Sequence, residues 1–243
     1  MWASLYEKRF LGGVLNGRNV EFAEHLKDPS HIDELQLRKM AGVINASVSK
    51  RIFDIILSLV GLILAAPLFL FVSLGIILSS HGPVFFVQKR YGKDGKLFNI
   101  YKFRTMLHET HQTRDSLASL NEMSGPAFKI KNDPRIYPFG KWLRKFTLDE
   151  LPQLWNILKG DMSFVGPRPF QLGDEKLFKA WHYYRHLIKP GATSFWQIMG
   201  RNEITDFDQW ALLDLKYIQT WTIWKDFEVV AKTPLVILRG TGR

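Results

Sequence analysis

The chain has no cysteine among its 243 residues. Disulfides, thiolate metal sites and a cysteine nucleophile are therefore excluded, while the redox compartment stays undetermined. Acidic residues are the scarcer charge: 23 Asp and Glu stand against 33 Lys and Arg, a formal net charge of +10. The expected partners are anionic, and anionic lipid, a nucleotide diphosphate and nucleic acid all qualify. Residues 1 to 50 are mixed and charged and lack the pattern of a cleavable signal. Internal repeats and low-complexity tracts are also missing, and the length allows one good-sized core or two small ones.

One long apolar run stands out. From Ile55 to Leu78 there are 24 residues without a charge, about 36 Å as a helix, against a hydrocarbon core of roughly 30 Å. Pro67 lies at its middle, removes a backbone donor and disfavours helical geometry at Ala66, leaving two arms that each reach one leaflet. Arg38, Lys39, Lys50 and Arg51 precede the run and Lys89, Arg90, Lys93 and Lys96 follow it, so flanking charge gives no orientation for a single span. A kinked span fits the length. A re-entrant helix, entering and leaving on the cytoplasmic side, accounts for both the proline and the symmetric charge. Arg51 and Asp54, three apart, are expected to pair at its mouth.

The stretch with most chemistry is Phe146-Thr147-Leu148-Asp149-Glu150-Leu151-Pro152-Gln153-Leu154, followed by Gly160-Asp161-Met162-Ser163-Phe164-Val165-Gly166-Pro167-Arg168-Pro169. Two adjacent carboxylates stand at a helix entrance, with Arg144 and Lys145 before them and a proline-flanked arginine after. Carboxylates beside cations and first-turn amides suit a metal-diphosphate, and Asp149 is the leading candidate for attack on it. Thr147-x-x-Glu150 equally fits a helix capping box.

Upstream, Val84 to Gln88 and Leu97 to Arg104 read as two short strands joined by the turn Gly92-Lys93-Asp94-Gly95. A period of two puts Lys102 and Arg104 on one face, as a phosphate-facing pair requires, although solvated surface charge fits as well. Lys131-Asn132-Asp133-Pro134-Arg135-Ile136 follows, then Lys189-Pro190-Gly191 and Trp196-Gln197-Ile198-Met199-Gly200-Arg201-Asn202.

From about Lys50 to the C-terminus these ordered blocks resemble the bacterial sugar transferases, the monotopic polyprenyl-phosphate phosphoglycosyl transferases that start exopolysaccharide, capsule and O-antigen assembly. The resemblance implies an α+β, mainly helical fold: an appendage over residues 1–49, a re-entrant membrane helix over 50–81, and a cytoplasmic catalytic domain over 82–243. That domain would combine a small β-hairpin with amphipathic interfacial helices around one catalytic core. The implied nucleophile is Asp149, with Glu150 as its partner. Lys102, Arg144 and Arg168 fall on the family's basic positions around the diphosphate, and Arg201 lies in the segment found in hexose-1-phosphate members. Magnesium held by Asp149 and Glu150 is the implied cofactor, and a UDP-hexose and undecaprenyl phosphate are the implied substrates. The implied location is the cytoplasmic face of the bacterial inner membrane among its lipids, without nucleic acid, and a homodimer is left open.

Some features depart from the family. Ser194-Phe195 stands where many members have Gly-Trp or Gly-Leu, Ala66 replaces a common serine before the helix proline, and the chain ends Gly240-Thr241-Gly242-Arg243 rather than Gly-Ala-Tyr. The hexose is thus undetermined. Ser30-x-x-Asp33 is a candidate cap for a helix running towards Ala46. His108, Glu109 and His111 lack ligand spacing and read as a solvated face rather than a metal site. Trp210, Leu213, Tyr217 and Trp221 share a helical face suited either to core packing or to the headgroup region. The run Val229 to Leu238 is too short and interrupted to span.

Other classes each leave something unexplained. A nucleic-acid binder gives the apolar run no purpose, and a membrane scaffold or regulator gives Asp149, Glu150 and Pro-Arg-Pro none. A glycosyltransferase would use the same donor but break the bond between sugar and phosphate. The released nucleotide separates them: UMP for phosphosugar transfer, UDP for sugar transfer, none for a scaffold or binder.

Overall fold

The computed structural model describes residues 32–107, 115–122, 125, 126, 128, 130, 132–200 and 204–238. The fold is mainly helical, with two small two-stranded sheets. Helix α1 (Glu34–Ala46) is capped by Asp33, whose carboxylate accepts from the Gln36 amide at 3.0 Å. Ser30, the expected cap, lies outside the described residues. Leu37, Ala41 and Ile44, at spacings of four and three, bury one stripe of α1 in the main core.

Ser47 ends α1 and caps α2 (Val48–Ser79), accepting from the Lys50 amide at 3.2 Å. The 32 residues of α2 make a helix of about 48 Å. Pro67 lies inside it and Ala66 stays helical, so the expected loss of helical geometry before the proline does not occur. The hydroxyls of Ser58 and Ser73 bond back to the carbonyls of Asp54 and Phe69, which satisfies them in apolar surroundings. Only 11% of the most apolar window of α2 is buried, and Ile56, Leu64, Leu74 and Leu78 are exposed. A core helix of a soluble protein would be mostly covered. An outer face this apolar needs a lipid solvent, and the chain associates with a membrane through it.

The hairpin forms where the sequence placed it, with the first strand running on to Tyr91 and the second ending at Phe103. Strands β1 (Phe85–Tyr91) and β2 (Leu97–Phe103) pair antiparallel, with Phe86 opposite Lys102. Next come α3 (Pro138–Lys145), a 3₁₀ turn at Leu148–Glu150 and α4 (Gln153–Lys159). Strands β3 (Ser163–Val165) and β4 (Gly191–Thr193) pair in parallel, Ser163 opposite Gly191. Just past β3 the backbones of Gly166 and Gly191 meet so closely that a Cβ on Gly191 would lie 2.1 Å from the Gly166 nitrogen. Side chains have no room there, which gives the glycine of Lys189-Pro190-Gly191 a physical reason.

Helices α5 (Phe195–Gly200), α6 (Phe207–Gln219) and α7 (Ile223–Leu238) complete the fold. Trp210, Leu213 and Tyr217 are buried, and Trp210 stacks on Trp196 with centroids 3.9 Å apart. Core packing, and not the headgroup region, therefore claims this aromatic face, because α1 and α5 pack over it. The aromatics left uncovered lie elsewhere: Trp224 is 76% exposed, and Trp142 and Trp155 are partly so.

Both arms of α2 dock on this one body. At its start the Lys50 ammonium is buried against Asp226 (2.6 Å), the Tyr217 hydroxyl and the Val165 carbonyl. Arg51 donates to the carbonyls of Ile157 and Leu158 at 2.7 Å, and Asp54 accepts from Ser163 and Phe164. The expected Arg51–Asp54 pair is not formed, since each finds a tertiary partner that leaves no polar group stranded. At its end Val72 and Ile76 pack with Phe103 and Leu143. Gly75 there admits the Phe139 ring, whose atoms come within 2.4 Å of where a Cβ would stand.

Candidate active site

The acidic pair owes its position to its neighbours. Leu148 and Leu151, three apart and thus on one side of the turn, pack into the cluster of Val72, Ile76, Phe103 and Leu143. Thr147 before them sits at φ 56° and makes no capping hydrogen bond, so the capping-box reading does not hold. A β-branched residue in the left-handed region is strained, and the packed leucines and the bond from the Thr147 amide to the Arg144 carbonyl (2.9 Å) hold it there.

Across the turn, two cations converge on one carboxylate oxygen. The Lys102 ammonium on β2 reaches Oε1 of Glu150 at 2.6 Å, and Nη2 of Arg168 reaches the same atom at 2.8 Å. Burial raises the Glu150 carboxyl's pKa, but Arg168 and Lys102 outweigh burial and hold it well below the usual carboxylate range. Asp149 is 9% exposed and accepts no hydrogen bond among the described residues. Burial, then the like charge of Glu150, push its carboxyl up, against the pull of Lys102, Arg144 and Arg168. Adjacent carboxylates thus differ: Glu150 is clamped and firmly ionised, Asp149 unbonded and raised.

Arg144 stands at the end of α3, where its Nε donates to the Thr105 hydroxyl at 2.9 Å. Burial lowers its pKa while Asp149 and Asp133 oppose that shift. Asp133 in turn takes a two-pronged contact from Arg135 at 2.8 and 2.6 Å. The structure therefore gathers Lys102, Arg144 and Arg168 around Asp149 and Glu150.

Arg104 does not join them. It is 1% exposed and donates to the Pro83 carbonyl (2.6 Å), the Ser80 hydroxyl (2.6 Å) and the Ser80 carbonyl (2.8 Å), closing the C-terminal end of α2. The Arg104 amide still continues the ladder to the Val84 carbonyl at 2.9 Å, but its guanidinium is taken by the turn after α2 rather than by the acidic pair. Arg201 and the cluster of His108, Glu109 and His111 lie outside the described residues. Among the described residues no three His, Cys, Asp or Glu side chains gather into a metal site.

Sequence reasoning missed Asn156. Its Oδ1 accepts from the Tyr101 amide at 3.0 Å and its Nδ2 donates to the Asn99 carbonyl at 2.7 Å. It thereby acts as a one-residue strand along β2, fixing the residue next to Lys102. A lone asparagine in a short helix carries no spacing signal that announces this.

The model of the family described as bacterial sugar transferase matches residues 45–240. The galactosyl transferase CpsE of Streptococcus agalactiae is 42% identical over 195 residues, 80% of this chain and 43% of that protein. The undecaprenyl-phosphate galactose phosphotransferase of Salmonella typhimurium is 40% identical over 197 residues, 79% of this chain and 41% of that one. The exopolysaccharide production protein ExoY of Rhizobium meliloti is 38% identical over 200 residues, 80% of this chain and 88% of its own length. The matched region thus spans about two-fifths of the first two relatives and most of the third.

Proposed function

Because the chain belongs to the bacterial sugar transferase family, we propose that it moves a hexose-1-phosphate from a UDP-hexose to undecaprenyl phosphate, the first step of a surface polysaccharide. The observation that carries this is the Asp149 carboxylate, without a hydrogen bond from the described residues, amid Lys102, Arg144 and Arg168, with Glu150 clamped beside it. In the first step a carboxylate oxygen of Asp149 attacks the sugar-proximal phosphorus. The anhydride bond to the nucleotide breaks, UMP leaves with the electron pair, and an aspartyl-phosphosugar remains. In the second step a phosphate oxygen of undecaprenyl phosphate attacks the same phosphorus and Asp149 is released. Both steps pass one ionised leaving group for another, so neither needs a general base.

The same site suits a magnesium ion. Lys102 and Arg168 both occupy Oε1 of Glu150, so among the described residues its Oε2 and the oxygens of Asp149 are those open to a hard cation, which takes one or two carboxylates beside substrate phosphates. Bound there, magnesium would neutralise charge on the transferring and leaving oxygens. Arg168 and Lys102 orient the diphosphate, and Pro167 and Pro169 reduce the entropy lost in doing so.

Incubation with a panel of UDP-sugars and undecaprenyl phosphate tests the reading. UDP-galactose goes first, given the names of two relatives, and UDP-glucose second. UMP is the expected product. Release of UDP, or of no nucleotide from any donor, would reject phosphosugar transfer.

The docking of both α2 arms on one body supports a re-entrant helix, since a straight span would carry its far end away from that body, and the cytoplasmic face is assigned to it because nucleotide sugars are available there. Cysteines placed at the exposed Ser49 and Ser116 are then expected to resist impermeant thiol reagents from outside, with no native cysteine to confuse the readout. In a Pro67→Leu variant, labelling at position 49 is expected in part of the population. Outside labelling at Ser49 with Pro67 intact would instead mean a full span.

A further inference from the structure

Arg168 is the one member of the basic cluster that sits in a loop, and its aim depends on what grips that loop. The peptide joining Arg168 to Pro169 has no N–H, so its carbonyl is its only hydrogen-bonding group. Nη2 of Arg185 takes that carbonyl at 3.1 Å. Arg185 itself is fully buried in the 3₁₀ segment Ala180–Leu187. Its Nε and Nη2 both contact Oδ2 of Asp214 on α6, at 2.8 and 2.6 Å. Its guanidinium carbon lies 4.8 Å from the Phe170 ring centroid and 5.5 Å from that of Phe207. One residue earlier, the Gly191 amide holds the Pro167 carbonyl at 3.0 Å.

We propose that Arg185, locked by Asp214, is a positioning residue for transfer: it fixes the peptide after Arg168 so that the Arg168 guanidinium stands at the substrate diphosphate. A buried ion pair adds little net stability over apolar packing. Burial pushes the Asp214 carboxyl up to about 6 even beside Arg185, which marks the pair as costly to keep ionised. What it supplies is a donor with almost no freedom of movement. A planar fork can hold Asp214 with two nitrogens and still spare an N–H for Arg168, whereas an ammonium cannot reproduce that geometry.

The inference rests on the reading of Arg168 as a phosphate clamp, and a double-mutant cycle separates the two. Arg185→Lys is expected to lower kcat/KM for the UDP-sugar about tenfold, the scale of a small misplacement of a catalytic group. In an Arg168→Lys background the same change is expected to cost less than about twofold, because the clamp it serves is already impaired. Equal losses in both backgrounds would show a merely structural Arg185 and overturn the inference while leaving the clamp intact. Wild-type kinetics in Arg168→Lys alone would overturn the clamp reading itself. Should Arg185→Lys fail to fold, the pair Arg185→Met with Asp214→Leu removes both buried charges together, and the cycle is run with it under the same criteria.

Discussion

Asp149→Asn is expected to abolish turnover, by at least about a hundredfold, while making the protein more stable. The amide keeps the volume but loses the anionic oxygen proposed above as the nucleophile. The stability gain follows from the raised carboxyl of Asp149. A carboxyl that binds its proton more tightly in the folded state destabilises that state once it ionises, so the penalty is absent at low pH and grows as pH rises past the ordinary carboxylate range. Asn carries no such penalty. The variant should therefore melt higher than wild type at neutral pH, by about 2–4 °C for each kcal/mol relieved, and the gap should close as pH falls towards that ordinary range. Activity above a few per cent of wild type would rule out a covalent role for Asp149. Incubation of wild type with labelled donor and no lipid acceptor should also leave phosphosugar on the protein.

Arg168→Lys is expected to lose about ten- to a hundredfold in kcat/KM although the charge is kept. On the proposed reading Arg168 has two tasks, since one nitrogen holds Glu150 at 2.8 Å and the rest of the fork would take phosphate. An ammonium can serve one of them. Arg168→Gln should go further and shift the acidic limb of the pH–rate profile to higher pH. Arg168 is the main cation opposing burial at Glu150 and also pulls Asp149 down, so without it the pair takes up protons at higher pH. A profile unmoved in Arg168→Gln, with near-normal kinetics in Arg168→Lys, would return Arg168 to a structural role.

Much of this was legible in the chain. The uncharged run from Ile55 to Leu78, the strands around Gly92 to Gly95 and the Asp149-Glu150 pair between basic residues are local patterns, and local patterns are set by chain periodicity and turn chemistry. The ordered blocks from about Lys50 onwards were enough to indicate the family. Tertiary structure decided what those patterns left open. Lys102 and Glu150 are 48 residues apart, and no periodicity links them; the hairpin brings the cation to the acid only because Asn156 and the cluster around Phe103 hold β2 against α2 and α4. Arg104, two residues from Lys102, was drawn instead to the carbonyls of Ser80 and Pro83 in the turn that follows α2, where its buried guanidinium finds acceptors. Residues along the chain thus determined which groups were present, and long-range packing determined which carboxylate is left without a hydrogen bond from the described residues and which became the anchor for Lys102 and Arg168.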